Sequence, residues 1–511
     1  MEPRRILDLP NELLIRIFEY VEGGTTSKDK PYVFDAVPYN IKEIQNLRLT
    51  CRRFHAASSH LLLPFVKVNI THRSLARLDE ISRHPFISKG VRAIKLCLGP
   101  FYDSVITHDI QAFATYQVSR LHPYIQIWDT LVDRVIYGYG STSTKTYQKA
   151  ITKAVALGES WEKLAAEGVD ENCAEHLLIL KAHARYLQLY EDYEAISSSV
   201  AQAIISAMVR IPTATWIKID DNPSSWSMGY LRPEDLDQED SLLDHLLLPT
   251  AWSDARKYML GPPPFHLIGE LLFSIQQLGI PLKGLGIETP PPTGLFPTSN
   301  TAITRELGVL CTAVKQLETI SFRPRTNLWN PYWAERAPEE WVDFIDFLIQ
   351  LLHTRSLRQI DLNFDFIGID YGSPPQLSMA RLLLSYTWPN LQDLYFNGPF
   401  HFEELKAIVK PLERTVKLQW CGYLMSGSWA DVLDILRERN AHCQQLGDGN
   451  ANGGIYGQEC NRMNDLSRQS IFRQNYLLES KATRYIRGER PSNPVRDWDT
   501  GDLYAPEPVS V

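Results

Sequence analysis

The chain has 511 residues, 44% of them hydrophobic and 22% charged, and 52 Lys and Arg against 60 Asp and Glu give a net charge of −8. Single hydrophobic cores stop growing near about 250–300 residues, so this length fits about three domains or one elongated body. The apolar fraction excludes general disorder, and the acidic balance gives no electrostatic basis for nucleic-acid binding. No uncharged apolar run approaches the roughly 20 residues that span a bilayer. Asp8 and Pro10 interrupt the stretch where a signal peptide needs continuous apolar residues. The seven cysteines (51, 97, 173, 311, 421, 443 and 460) are scattered and contain no C-x-x-C pair. That pattern predicts reduced thiols, with neither a disulfide framework nor a zinc module, and a cytoplasmic or nuclear chain without membrane attachment.

At the N-terminus, residues 9–21 read as a short helix. Pro10 stands at its first position, where the missing N–H costs nothing, and Glu12 suits the positive end of the helix dipole. Leu14, Ile17, Phe18 and Val21 recur at i, i+3, i+4 and i+7, Leu13 widens the stripe, and Gly23-Gly24 ends it. A second amphipathic stretch starts at Ile41 and carries Ile44, Leu47, Cys51 and Phe54. The order Leu9-Pro-x-Glu-Leu-Leu-x-x-Ile-Phe-x-Tyr-Val21, then Leu47-Arg-Leu-Thr-Cys-Arg-Arg-Phe54, resembles the F-box family. The resemblance covers Leu9 to about Val68. It implies a three-helix module that docks on a Skp-type adaptor and, through it, a cullin scaffold of a ubiquitin ligase. It also implies an adaptor-facing set of Leu9, Pro10, Leu13, Ile17, Leu49 and Cys51, and a module core of Leu14, Phe18, Leu47 and Phe54. One departure is a longer Pro- and Gly-bearing link over 22–40.

Beyond residue 71 helical patterns alternate with short apolar runs. Candidate strands are Val91–Leu98, Thr215–Ile219, Leu282–Ile287, Leu317–Phe322, Leu357–Phe364, Leu391–Phe396 and Val416–Trp420. Most share Leu-x-x-φ-x-φ, where φ is apolar, the strand portion of a leucine-rich repeat. Helix-like segments at Thr304–Leu317, Glu339–His353 and Leu377–Tyr386 fall between them. The expected fold class is therefore α/β: an F-box over 1–70 and an irregular leucine-rich-repeat-like solenoid with a parallel sheet over 71–440. A compact α/β domain with a mixed sheet is the competing reading. Residues 103–210 read as a helical insertion, with Ile196, Val200, Ile204 and Met208 on one stripe and Leu177, Leu180 and Leu187 on another. Residues 221–262, with an acidic run from Glu234 to Asp244, read as an irregular loop. Residues 441–511 read as a cap and a loosely ordered tail, with a helix-like piece around Ile471–Ala482.

The residues offer little chemistry. His176 and His183 are seven apart on one helix, too far to share an ion. Asp235-Leu-Asp-Gln-Glu239 lacks the Gly and the closing acid of a calcium loop. Gly284-Leu-Gly286 and Gly138-Tyr-Gly140 complete no phosphate loop. No catalytic residues, metal ligands or cofactor are predicted. In a parallel sheet alternate residues share a face. That groups Lys95, Trp216, Lys218, Glu288, Thr319, Ser321, Arg323, Gln359, Asp361, Asn363, Asp393, Tyr395, Lys417 and Gln419 on one surface. The surface is either a substrate-recognition face or the solvated side of a sheet. The expectation is a non-enzymatic substrate-recognition subunit of a cullin-type ubiquitin ligase, its substrate protein unidentified. Alternatives are an F-box scaffold that directs no degradation, and an enzyme with a fortuitous helical N-terminus.

Overall fold

The computed structural model describes residues 6–22, 41–99, 102–136, 144–220, 231–248, 266–289, 314–323, 345, 347–364, 379–384, 386–398, 400–413, 416–421, 424–439 and 481–499. Three helices open the chain: α1 (Asn11–Glu22), α2 (Ile41–Thr50) and α3 (Arg52–Ser58). Leu14 and Phe18 of α1 meet Ile44 of α2 and Phe54 and Ala57 of α3 in a small core. The Phe18 and Phe54 rings stand edge to face at 5.1 Å. Cys51 starts α3 as its N-cap, its Sγ accepting the Phe54 amide at 3.5 Å.

An eight-stranded parallel sheet follows, built from β1 (Phe65–Asn69), β2 (Ala93–Cys97), β3 (Trp216–Asp220), β4 (Gly284–Ile287), β5 (Thr319–Phe322), β6 (Gln359–Asn363), β7 (Asp393–Asn397) and β9 (Lys417–Cys421). Each strand pairs with the next in chain order. β8 (Phe400–His401) and β10 (Leu424–Ser426) form a separate parallel pair. Strand β1, absent from the sequence reading, lies inside the stretch assigned to the helical module; it pairs with β2 from Phe65↔Ala93 to Asn69↔Cys97. The residues just before the strands continue the ladder: Arg92, Thr215, Lys283, Glu318, Arg358 and Gln392 each donate an amide to the preceding strand segment at 2.7–3.1 Å.

Parallel neighbours require a crossover, and a sequential series of right-handed crossovers puts every helix on one side. Helices α4 (His72–Arg83), α10 (His266–Gln277), α11 (Met379–Leu384), α12 (Phe402–Val409) and α13 (Trp429–Glu438) fill this layer with the helical residues 347–352. Their apolar stripes share one core with the inward strand residues, among them Val66, Ile94, Ile217, Leu285, Ile320, Ile360, Leu394 and Leu418.

The crossover from β2 to β3 carries the insertion: α5 (Ser104–His108), α6 (Ile110–Ile136), α7 (Thr144–Glu167) and α8 (Ala174–Arg210). Its core is separate and includes Phe113, Trp161, Leu164, Ile179 and Tyr186. Helix α8 has 37 residues, about 55 Å at 1.5 Å per residue, and enters both cores. Ile196, Val200, Ile204 and Met208 lie in the sheet core. Its other half differs from the leucine stripe read in the sequence. Leu177 is exposed, Leu180 and Leu187 are half-buried, and the packed face is His176, Ile179, Ala182 and Tyr186.

Two segments expected to be loose are ordered. Residues 233–237 form a 3-10 turn and α9 (Glu239–Leu246) follows, with Leu236, Leu242, Leu243 and Leu246 buried in the insertion core. The acidic run helps this helix to start, because Glu239 and Asp240 stand at its positive end. Hydrogen bonds from Lys149 and Lys153, at 2.6 and 3.1 Å, hold the Asp237 carboxyl below the usual carboxylate range. Most of the candidate helices 304–317 and 471–482 and the Gly/Asn-rich stretch 447–454 lie outside the described residues. At the far end α14 (Lys481–Ile486) and α15 (Pro494–Asp499) pack on α13, with Ala482, Tyr485, Ile486 and Val495 in the sheet core. Asp434 ties this cap down, accepting from the Tyr485 hydroxyl at 2.6 Å, Asn493 Nδ2 at 2.7 Å and Arg496 Nη2 at 2.8 Å.

Burial pushes the Asp434 carboxyl up, but hydrogen bonds from Tyr485, Arg496 and Asn493 outweigh it and hold the group below the usual range. A depressed carboxyl contributes stability above its unfolded pKa, near about 4, and that stability is lost as pH falls through the folded value. Asp434→Ala is expected to cost about 1–3 kcal/mol at neutral pH. In thermal unfolding, its deficit against the parent should shrink below about pH 4.

Candidate functional site

Two surfaces carry the residues singled out in the sequence. The first is on the three-helix module. Leu14 and Phe18 are buried at 0% and 1% exposure, Phe54 is buried beside them, and Leu47 is half-buried against the same core. Leu13 and Ile17 are 46% and 38% exposed, and Leu49 is 85% exposed. Pro10 is exposed, while Leu9 and Cys51 are half-buried against the module core. Helix α1 therefore has two apolar stripes. Leu14 and Phe18 face inward; Leu13, Ile17 and the exposed Tyr20, at i, i+4 and i+7, form a second row that nothing among the described residues covers.

Arg53, which the sequence gives no reason to single out, organises the edge of this surface. Its Nε donates to Asn11 Oδ1 at 3.0 Å, and its other nitrogens donate to the carbonyls of Leu7 and Leu9. The planar fork of arginine suits such a multiple contact. It ties the short 3-10 turn Ile6–Asp8 to α3 and keeps the exposed Ile6 and Leu7 next to Pro10.

The module is also fixed to the sheet. Leu63 and Ile87 pack against both the module core and the sheet core. At the same junction Gly90 passes so close to the His60 carbonyl that a Cβ would lie 1.5 Å from its oxygen.

The second surface is the face of the sheet opposite the helices. Register aligns it in rows: Trp216, Gly284, Thr319, Gln359, Asp393 and Lys417 in one, and Lys95, Lys218, Gly286, Ser321, Asp361, Tyr395 and Gln419 in the next. The centre of the face is buried and internally paired. Lys95 Nζ lies 3.0 Å from Asp220 Oδ2, and Lys218 Nζ lies 2.6 Å from Glu288 Oε1. Arg323 Nε meets Asp361 Oδ2 at 2.6 Å, and its guanidinium lies 4.8 Å from the centroid of Tyr395. The two glycines of β4 make room for neighbours on β3. A Cβ on Gly284 would fall 1.9 Å from the Trp216 ring, and one on Gly286 would touch the Lys218 stem at 3.5 Å. Lys218 and Asp361 are thus committed to the protein's own ion pairs. Trp216, Arg323, Asn363 and Tyr395 are half-buried and reach the surface, and Gln419 is placed beside Tyr395 by register.

Among the described residues no cluster of His, Cys, Asp and Glu is arranged to hold a metal ion, and no helix is long and apolar enough to cross a membrane. His176 is buried, its Nδ1 accepting the Asp170 amide at 3.0 Å and its Nε2 2.9 Å from the Ser160 carbonyl, so it ties the α7–α8 turn together. His183 packs on Phe113 at 5.2 Å, where burial lowers its pKa. A comparison with protein-family models finds no match, and a comparison with curated proteins finds none either.

The junction gives a direct test. Gly90→Val puts a branched side chain against the His60 backbone, which must then move. The substitution is expected to cost about 1–3 kcal/mol in thermal or denaturant unfolding, the usual range for forced overpacking.

Proposed function

We propose that the chain is an F-box protein: a substrate-recognition subunit whose N-terminal helices dock on a Skp-type adaptor and whose repeats hold a substrate protein for a cullin-type ubiquitin ligase. The observation that carries this reading is the second apolar row of α1, with Leu49 beyond it. A three-helix unit of this size is marginal alone, yet it leaves Leu13, Ile17, Tyr20 and Leu49 in water. Helix-in-groove docking uses such anchors, and each side chain fully buried on docking contributes about 1.5–3 kcal/mol. The order of the motif residues in the sequence agrees with this use.

The sequential parallel sheet supports a leucine-rich-repeat-like solenoid for the remainder. Strand and helix alternate, each unit covers its neighbour, and one face is left for a partner. On that face Trp216, Arg323, Asn363 and Tyr395 are the residues proposed to touch the substrate. The chain itself performs no chemistry in this reading. It raises the substrate's effective concentration beside the transferring enzyme, and the rate gain is one of proximity.

Binding of the purified chain to a Skp-type adaptor, measured by calorimetry, tests the proposal. Leu13→Glu with Leu49→Glu removes two anchors, and affinity is expected to fall at least about 100-fold. The melting temperature should be unchanged, because both side chains are exposed in the free chain. Leu14→Glu, by contrast, should unfold the module. No binding by the parent chain, or equal binding by the double variant, would sink the proposal.

A further inference from the structure

Charge is distributed unevenly over this acidic chain. All eight sheet strands are parallel, so the turns that precede them lie along one edge of the sheet. Six of these turns, residues 84–92, 211–215, 278–283, 314–318, 353–358 and 386–392, contain six Lys and Arg and a single acid, Glu318. The chain as a whole has net charge −8. The six are Lys89, Arg92, Lys283, Lys315, Arg355 and Arg358, and all are exposed. Lys283 pairs with Glu318 at 2.9 Å. The other five form no ion pair among the described residues.

The backbone ladder sets their spacing. Arg92, Lys283 and Arg358 each stand one residue before their strand, and amide-to-carbonyl bonds link these positions across the sheet through Thr215 and Glu318. The three lie on alternate strands, and strands are about 4.8 Å apart, so the cations repeat every 10 Å or so. Lys89, Lys315 and Arg355 each stand four residues before a strand and add positive charge to the same set of turns. An extended chain advances about 3.3 Å per residue, so a carboxylate at every third residue matches the spacing of Arg92, Lys283 and Arg358.

We propose that this edge of the sheet docks an extended, acidic polypeptide segment of a partner protein. The inference is independent of the adaptor reading, since it uses neither α1 nor α2. A single-stranded nucleic acid fits less well. Trp388, an aromatic of these turns, is buried with its Nε1 donating to the Leu352 carbonyl, and Tyr386 packs against the sheet core. Phe86 alone among the Phe, Tyr and Trp residues of these turns is exposed, and a single ring is not the series on which successive bases stack.

The test uses the full chain and a fluorescein-labelled peptide of four Glu-Ser-Gly repeats, read by fluorescence anisotropy at low salt. The peptide is expected to bind, its Gln-for-Glu counterpart is not, and affinity should fall as salt screens the contact. Arg92→Glu with Arg358→Glu is expected to weaken binding at least about tenfold with an unchanged melting temperature. Lys163→Glu with Lys181→Glu, which reverses two exposed lysines of the helical insertion, should change it less than about twofold. If the reversed pair fails to fold, Arg92→Gln with Arg358→Gln replaces it under the same criterion. The proposal is overturned by absent peptide binding, by equal loss in the remote pair, or by an oligothymidine that binds more tightly than the peptide.

Discussion

The in-register ladder of backbone hydrogen bonds from Pro64 to Lys417 is the constraint on which the other features depend. Side chains alternate between faces with a period of two, so a slip of one residue in any pair would reverse every strand beyond it. With the register held, each strand sends its apolar pair into one continuous core, and its alternate residues line up in rows on the other face. The ladder is kept across very unequal connections. Ala93↔Trp216 pairs two strands whose intervening chain holds the whole helical insertion. That is possible because α8 belongs to both cores: its last turns are the crossover helix of the sheet, and its first turns reach into the insertion.

The same constraint explains why the face opposite the helices is only partly a surface. Lysines that meet in register on β2 and β3 would repel if left alone. Each is instead neutralised by an acid at a strand end, Lys95 by Asp220 and Lys218 by Glu288. Buried pairs of this kind add little net stability, but removing one partner leaves a charge without compensation. They fix the side chains of the centre in place. The residues of this face that reach the surface, such as Trp216 and Tyr395, are half-buried rather than sealed. At the other end, Gly90 beside His60 joins the helical module to the first strands without a free linker, so the apolar row of α1 and the sheet belong to one body.

Much of this was legible in the sequence where periodicity alone decides. Runs such as Leu357–Phe364 and Leu391–Phe396 mark strands β6 and β7, the second to within one residue, because alternating apolar residues between turn signals have few other solutions. The stripe Ile196–Met208 has the same clarity for a helix. Other features depend on partners distant in sequence. Strand β1 was absorbed into the helical module because the motif resemblance continues to Val68, and only pairing with β2 shows where the sheet begins. The acidic run 234–244 has the composition of a solvated loop, yet its leucines find the insertion core. The Pro- and Asp-rich end is held by Asp434, some 50 residues earlier. Which apolar residues of α1 face outward was likewise open, since a broad stripe does not reveal which half the module covers. The role of Arg53, which stands within the second motif run, is not legible there, because the carbonyls it binds converge only in the fold.

Hydrogen–deuterium exchange of the full chain, with and without a Skp-type adaptor, tests the proposed docking of the N-terminal helices. New protection is expected over α1, α2 and the start of α3, with the sheet and the insertion unchanged. No protection at saturating adaptor, or protection that spares α1 and α2, would contradict it.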